Sequence, residues 1–217
     1  MPRSKAIKKF HIELANTAQQ MAYQTFQQHD VVFLTGPAGT GKTWLSIAFA
    51  INEILTSSKK KMILTRPVVE AGESLGYLPG DLLEKIDPYM RPFFDVFQKL
   101  LGKDTEQRKK INECMEIAPL AYMRGRSLGN SICIFDEAQN ATYSQLKLFL
   151  SRFEKDTKLI IAGDPFQSDL NTSSVPLADV MRRLETVSGV GMIRFKKDNI
   201  LRHPLIADIL EKLEEKH

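Results

Sequence analysis

Cysteine is nearly missing from this chain: Cys114 and Cys133 are the only two. That excludes a disulfide framework and a cysteine-based metal cluster. Cys133 lies inside an apolar strand pattern and reads as a core residue. Long apolar runs are missing as well. The start, Met-Pro-Arg-Ser-Lys-Ala-Ile-Lys-Lys, is basic with no apolar stretch behind it, so neither a signal peptide nor a membrane span is expected. A reduced cytoplasmic setting follows as the expectation. Repeats and low-complexity segments are also lacking. What remains is an ordinary globular composition, 43% hydrophobic and 26% charged over 217 residues, enough for one domain with a real core. The net charge of +4 leans towards an anionic partner, although many basic proteins bind no nucleic acid.

The chain is organised around Val31–Thr43. Val31 to Leu34 read as a buried strand, and Gly36-Pro37-Ala38-Gly39-Thr40-Gly41-Lys42-Thr43 matches G-x-x-x-x-G-K-[ST] at every fixed position. A helical pattern from Trp44 to Leu55 follows directly. Glycines let such a loop curl so that its N–H groups face phosphate oxygens, and the helix N-terminus adds its dipole. Lys42 supplies a charge for the β- and γ-phosphates, and the Thr43 hydroxyl can ligate Mg²⁺. A nucleoside triphosphate site is the reading.

Around this centre the pattern alternates. Residues 1–16 form a basic arm, and Thr17 to Gln28 read as a polar helix capped by Asn16 or Thr17. Further strands are expected at 62–65, 131–135, 159–162 and 191–195, with helices at 144–152, 176–185 and 205–214. The Lys59-Lys60-Lys61 run reads as a solvated turn. Residues 66–130 form an insert. Within it Pro88 and Pro92 are expected to interrupt helix, Phe93, Phe94 and Phe97 to give an apolar face, and Glu106 to Ile117 to form an amphipathic helix. Alternating strands and helices imply a mostly parallel sheet covered on both faces, an α/β fold.

In such sheets ligands sit at the carboxyl ends of strands. Asp136-Glu137 follows the strand at 131–135; Asp136 suits Mg²⁺ and Glu137 suits activation of a water. Gly163-Asp164-Pro165-Phe166-Gln167 follows the strand at 159–162. It is turn chemistry, yet Gln167 could also report the γ-phosphate, having both donor and acceptor.

GPAGTGKT, DEAQ and GDPFQ in this order resemble motifs I, II and III of superfamily 1 helicases. The chain is more closely similar to the PhoH-like ATPase family, through residues 66–95, 118–153, 163–170 and 198–210. The turn after Asp169-Leu170, usually rich in Ser and Gly in that family, is Asn-Thr-Ser-Ser-Val-Pro here. The resemblance implies a single RecA-like P-loop NTPase domain over 17–217, with ATP and Mg²⁺ as cofactors. It implies nucleotide binding by Gly36, Pro37, Ala38, Gly39, Thr40, Gly41, Lys42, Thr43 and Trp44, metal binding by Thr43 and Asp136, and catalysis by Lys42, Asp136, Glu137 and Gln167. Gln20 falls where the family has an adenine-reading glutamine, with Tyr23 nearby. Arg66 is either a nucleic-acid backbone contact or a salt-bridged structural arginine.

A superfamily 1 helicase closes its ATP site between two such domains, and this sequence has one set of motifs and no length for a second. The expected remedy is a neighbouring copy supplying an arginine, with a hexameric ring implied by the family. Arg202, in Leu201-Arg202-His203-Pro204, is the leading candidate for a finger acting in trans, and Arg124 and Arg126 compete with it. His203 reads as a structural cap. Three function classes arise: an ATP hydrolase coupled to single-stranded RNA, a nucleotide-gated scaffold, and a small-molecule phosphotransferase. Glu137 and Gln167 weigh against the third, because a kinase has no use for a water activator.

Overall fold

The computed structural model describes residues 10–56, 61–67, 82–166 and 176–201. Its strands are β1 (Val31–Thr35), β2 (Lys61–Thr65), β3 (Met115–Ile117), β4 (Ser131–Phe135), β5 (Lys158–Gly163) and β6 (Val190–Arg194). They form one sheet in the order β3-β2-β4-β5-β1-β6, and every neighbouring pair is parallel. Parallel strands must be joined by crossovers. The helices are α1 (Thr17–Gln28), α2 (Lys42–Thr56), α3 (Leu82–Leu101), α4 (Thr105–Cys114), α5 (Tyr143–Leu150) and α6 (Pro176–Leu184). All but α1, which precedes β1, lie on those crossovers.

Both faces of the sheet are buried, as side-chain alternation requires. Val32, Leu34, Met62, Leu64, Ile132, Ile134 and Ile160 pack on one face with residues of α1 to α4. Phe33, Ile63, Cys133, Phe135, Leu159 and Ile161 pack on the other, against Leu146, Phe149, Leu177 and Val180 of α5 and α6. Cys133 is a core residue as expected; burial pushes its thiol up to about 11, so it is chemically quiet.

Three features of the insert differ from expectation. The helix expected over 106–117 stops at Cys114, and Met115 to Ile117 pair with Met62 to Leu64 as the edge strand β3. Three residues carry too little pattern to show a strand, and pairing with β2 decides it. The prolines do not break α3, which runs unbroken from Leu82 to Leu101. Met90, Phe93, Phe97 and Leu101 recur at helical spacing and are all buried, which offsets the backbone bond lost at Pro92. Phe94 is on the outer side of that stripe and is exposed. Gln167, Arg202, His203, residues 1–9, the final helix at 205–214 and the Lys59-Lys60 pair lie outside the described residues. Among the described residues no helix is long and apolar enough to cross a membrane.

Candidate functional site

The carboxyl ends of β1, β4 and β5 converge on a cavity of about 280 Å³. Its walls are the phosphate loop and the start of α2, Asp136 and Glu137 after β4, Gln139, and Gly163 and Asp164 at the end of β5. Gly36 and Gly41 show why the loop needs glycine. Gly36 has φ +132°, and a Cβ there would lie 2.3 Å from the Phe195 carbonyl oxygen. Gly41 has φ +88°, and an added Cβ would lie 3.1 Å from the Gln19 amide nitrogen. Lys42 opens α2, and its Nζ donates to the carbonyls of Gly36 at 2.6 Å and Pro37 at 2.9 Å. The ammonium is thus held over the loop's concave side.

Thr43 Oγ1 donates to Asp136, with the two carboxylate oxygens at 3.0 and 3.1 Å. Asp136 is 3% exposed. Burial, and then the charge of Glu137, push its carboxyl up to about 6, while Arg66 and Thr43 pull the other way. Among the described residues no three His, Cys, Asp or Glu side chains cluster as a closed metal site. A hydroxyl and a buried carboxylate short of positive charge are a donor set for a hard cation that shares its remaining positions with phosphates and water.

The raised carboxyl gives a signed pH dependence. Below about pH 4 it is neutral in both the folded and the unfolded chain. Between about 4 and 6 only the unfolded chain ionises, so stability falls as pH rises, and above 6 the full penalty is present. Asp136→Asn is therefore expected to raise the melting temperature of the nucleotide-free protein at pH 8, by up to roughly 3 kcal/mol of stability. The gain should vanish at pH 4. Thermal melts in EDTA at the two pH values test this, and an equal gain at both would show that charge burial is not the cause.

Glu137 has φ 51°, a left-handed conformation that is uncommon outside glycine and is found at strained functional turns. Its carboxylate is held on both oxygens. Arg66 donates to Oε1 at 2.7 Å, and Gln139 Nε2 donates to Oε2 at 2.5 Å. Gln139 Oε1 in turn accepts from the Asp164 backbone N–H at 3.1 Å. Gly163 has no room for a side chain here, since an added Cβ would lie 2.7 Å from Gln139 Oε1. Gln139 therefore ties the β4 end to the β5 end, a link between positions 25 apart that sequence reading missed.

A second recess, of about 390 Å³, shares Gly39, Gly41 and Trp44 with the first and is completed by Glu13, Ala15, Gln19 and Leu201. Gln19 lines this recess and Gln20 does not. Gln20 is exposed. Gln19 is 1% exposed, accepts from the Ala15 N–H at 2.8 Å, and directs its amide nitrogen to the Thr40 carbonyl at 3.4 Å. One residue is about 100° around a helix, and only Gln19 shares a face with buried Ala22 and Phe26. That 19-22-26 spacing was the signal available in the sequence. Tyr23 packs on Phe49, ring centroids 5.3 Å apart, and its hydroxyl accepts from Asn52 at 3.4 Å. Arg126 is engaged with Glu116 of β3, and Arg124 is exposed.

A phosphate loop between an inner parallel strand and a helix, faced by a carboxylate pair at the end of another strand, defines the P-loop NTPase fold. Similarity to solved structures agrees on the fold. The large terminase of a thermophilic bacteriophage superposes with a TM-score of 0.52 at 11% identity, covering 92% of this chain and 50% of that one. The SWI2/SNF2 ATPase core of Sulfolobus solfataricus, in complex with dsDNA, gives 0.50 at 11% identity, covering 89% and 47%. Residues 11–214 match the PhoH-like protein family, and the chain belongs to it. It is 44% identical over 207 residues to a PhoH-like protein of Bacillus subtilis, covering 95% of this chain and 65% of that protein. To Protein PhoH of Escherichia coli K12 it is 42% identical over 194 residues, covering 88% and 54%. The chain thus spans between about half and two thirds of the length of these curated relatives.

Proposed function

We propose that this protein hydrolyses ATP and couples hydrolysis to single-stranded RNA, as a ring of six copies in the cytoplasm. The observation that carries the reading is the carboxylate pair facing the phosphate loop. A second carboxylate aimed at the cavity serves hydrolysis, in which water must be activated. Family membership supports the same activity.

In this reading residues 1–16 are an arm and residues 17–217 the ATPase domain. The loop N–H groups and Lys42 receive the β- and γ-phosphates. Thr43 and Asp136 would hold Mg²⁺, which when bound neutralises phosphate charge. Glu137 orients the attacking water and takes its proton. Gln167 reports the γ-phosphate. Gln19, rather than Gln20, offers its amide to adenine in the second recess, with Trp44 beside it. Arg202 reaches the γ-phosphate of a neighbouring copy and supplies positive charge to it there.

Measuring ATP turnover with single-stranded RNA, single-stranded DNA or neither, alongside particle mass with and without ATP, tests the proposal. Turnover raised several-fold by RNA and a hexameric mass support it. Turnover indifferent to both strands would point instead to a nucleotide-gated scaffold.

A further inference from the structure

The two contacts on Glu137 differ in kind. Gln139 is neutral, nearly buried and anchored at its far end on Asp164, so it orients the carboxylate without altering the charge around it. Arg66 brings a full positive charge to Oε1 at 2.7 Å and lies 3.9 Å from Asp136 Oδ2. It is not part of the wall of the phosphate cavity, but approaches the carboxylates from the end of β2. Its side chain is 17% exposed and that of Glu137 is 38% exposed, so the pair can be reached from solvent. A carboxylate oxygen held by a guanidinium is taken from the water it should activate.

We propose that Arg66 is a latch on Glu137. Paired, it holds hydrolysis down. Moved onto a phosphodiester oxygen of a bound strand, it releases Glu137. The water oxygen then bonds to the γ-phosphorus, the bridging P–O bond to ADP breaks, and Glu137 takes the proton from the water. This rests on the nucleic-acid-coupled reading above. The guanidinium fork matches phosphate as well as carboxylate, so a strand can compete for it. The chain's excess of basic residues favours such a polyanion. Because Arg66 stands outside the phosphate cavity, a strand on the surface rather than ATP is the acceptor. Arg66 is thus a positioning residue that couples strand binding to turnover.

Two readouts test the latch. In ATPase assays without nucleic acid, Arg66→Ala should turn over faster than wild type, by roughly 3- to 10-fold, and single-stranded RNA should add little. The stimulation ratio should fall towards one in this variant while KM for ATP stays near wild type, a split that a purely structural role would not cause. A basal rate below wild type with an unchanged stimulation ratio overturns the latch. In binding assays with a fluorescent oligoribonucleotide, Glu137→Gln removes the carboxylate charge that holds Arg66. It should bind more tightly than wild type, with a salt slope steeper by about 0.7. The gain should disappear in the Glu137→Gln, Arg66→Ala double variant; equal slopes throughout overturn the transfer to phosphate. The two readings fail separately. A wild type that neither binds nor responds to RNA or DNA removes the strand as the signal. A raised basal rate of Arg66→Ala in the same assay still supports the latch, and a lowered rate removes it. Equal stimulation by inorganic polyphosphate would replace the strand with any dense polyanion.

Discussion

Lys42→Ala is expected to lower ATP turnover by at least about 10²- to 10³-fold, the usual consequence of deleting one preorganised charge stabiliser. The side chain leaves the start of α2 and reaches back to the Gly36 and Pro37 carbonyls, so it already stands over the loop that the proposed function assigns to the phosphates. Its removal deletes a charge that is most needed as the γ-phosphoryl group departs, and kcat should fall more than KM rises. Stability should change little by comparison. Lys42 is only partly buried, and losing two hydrogen bonds of this kind costs about 1 kcal/mol each, or a melting shift of a few degrees in a domain of this size. Steady-state kinetics paired with circular-dichroism melts separate the two effects. A variant that keeps wild-type turnover would show that this loop is not the phosphate site.

That loop was legible because its chemistry is local: eight contiguous residues carry the turn, the charge and the hydroxyl, and the flanking periodicities change from strand to helix around them. The parallel sheet followed from the same alternation, and the five long strands lie within one residue of where short apolar runs mark them. Legibility failed where a contact outweighs a pattern. β3 exists because β2 offers it a partner, and α3 survives Pro92 because four buried side chains hold it in place. Two adjacent glutamines on a weakly amphipathic helix concealed which one faces the loop. The pairing of Arg66 with Glu137 joins positions 71 apart, and no local rule could separate a nucleic-acid contact from a salt bridge. The structure shows the bridge and places it on the carboxylate that the sequence had already marked for water activation.

Glu137→Gln should reduce turnover by about 10²- to 10⁴-fold while leaving nucleotide affinity close to wild type, because it removes a base and keeps the shape. The amide still has a donor and an acceptor. The contact to Gln139, which ties this turn to Asp164, can therefore persist, and the fold around the cavity should hold. Retained binding is what makes the variant useful in mixtures with wild type. If each copy hydrolysed alone, activity would fall in proportion to dilution. In the strictest coupled case one inactive subunit silences a ring of six, and an equal mixture keeps about 2% of wild-type activity rather than about 50%. A linear curve would remove coupled hydrolysis. The trans arginine needs a separate mixture, because Glu137→Gln subunits still donate Arg202. Pure Arg202→Ala should be nearly inactive, and wild-type turnover by it would remove the trans arginine. When copies hydrolyse independently, mixing Arg202→Ala with Glu137→Gln should restore activity that neither variant has alone. A subunit with an intact Glu137 then receives the arginine of its Glu137→Gln neighbour, which happens at about a quarter of the sites in an equal mixture. A strictly coupled ring would show no such rescue. The dilution curve and the rescue therefore have opposite expected outcomes in the two cases, and a linear curve without rescue would place the arginine in cis.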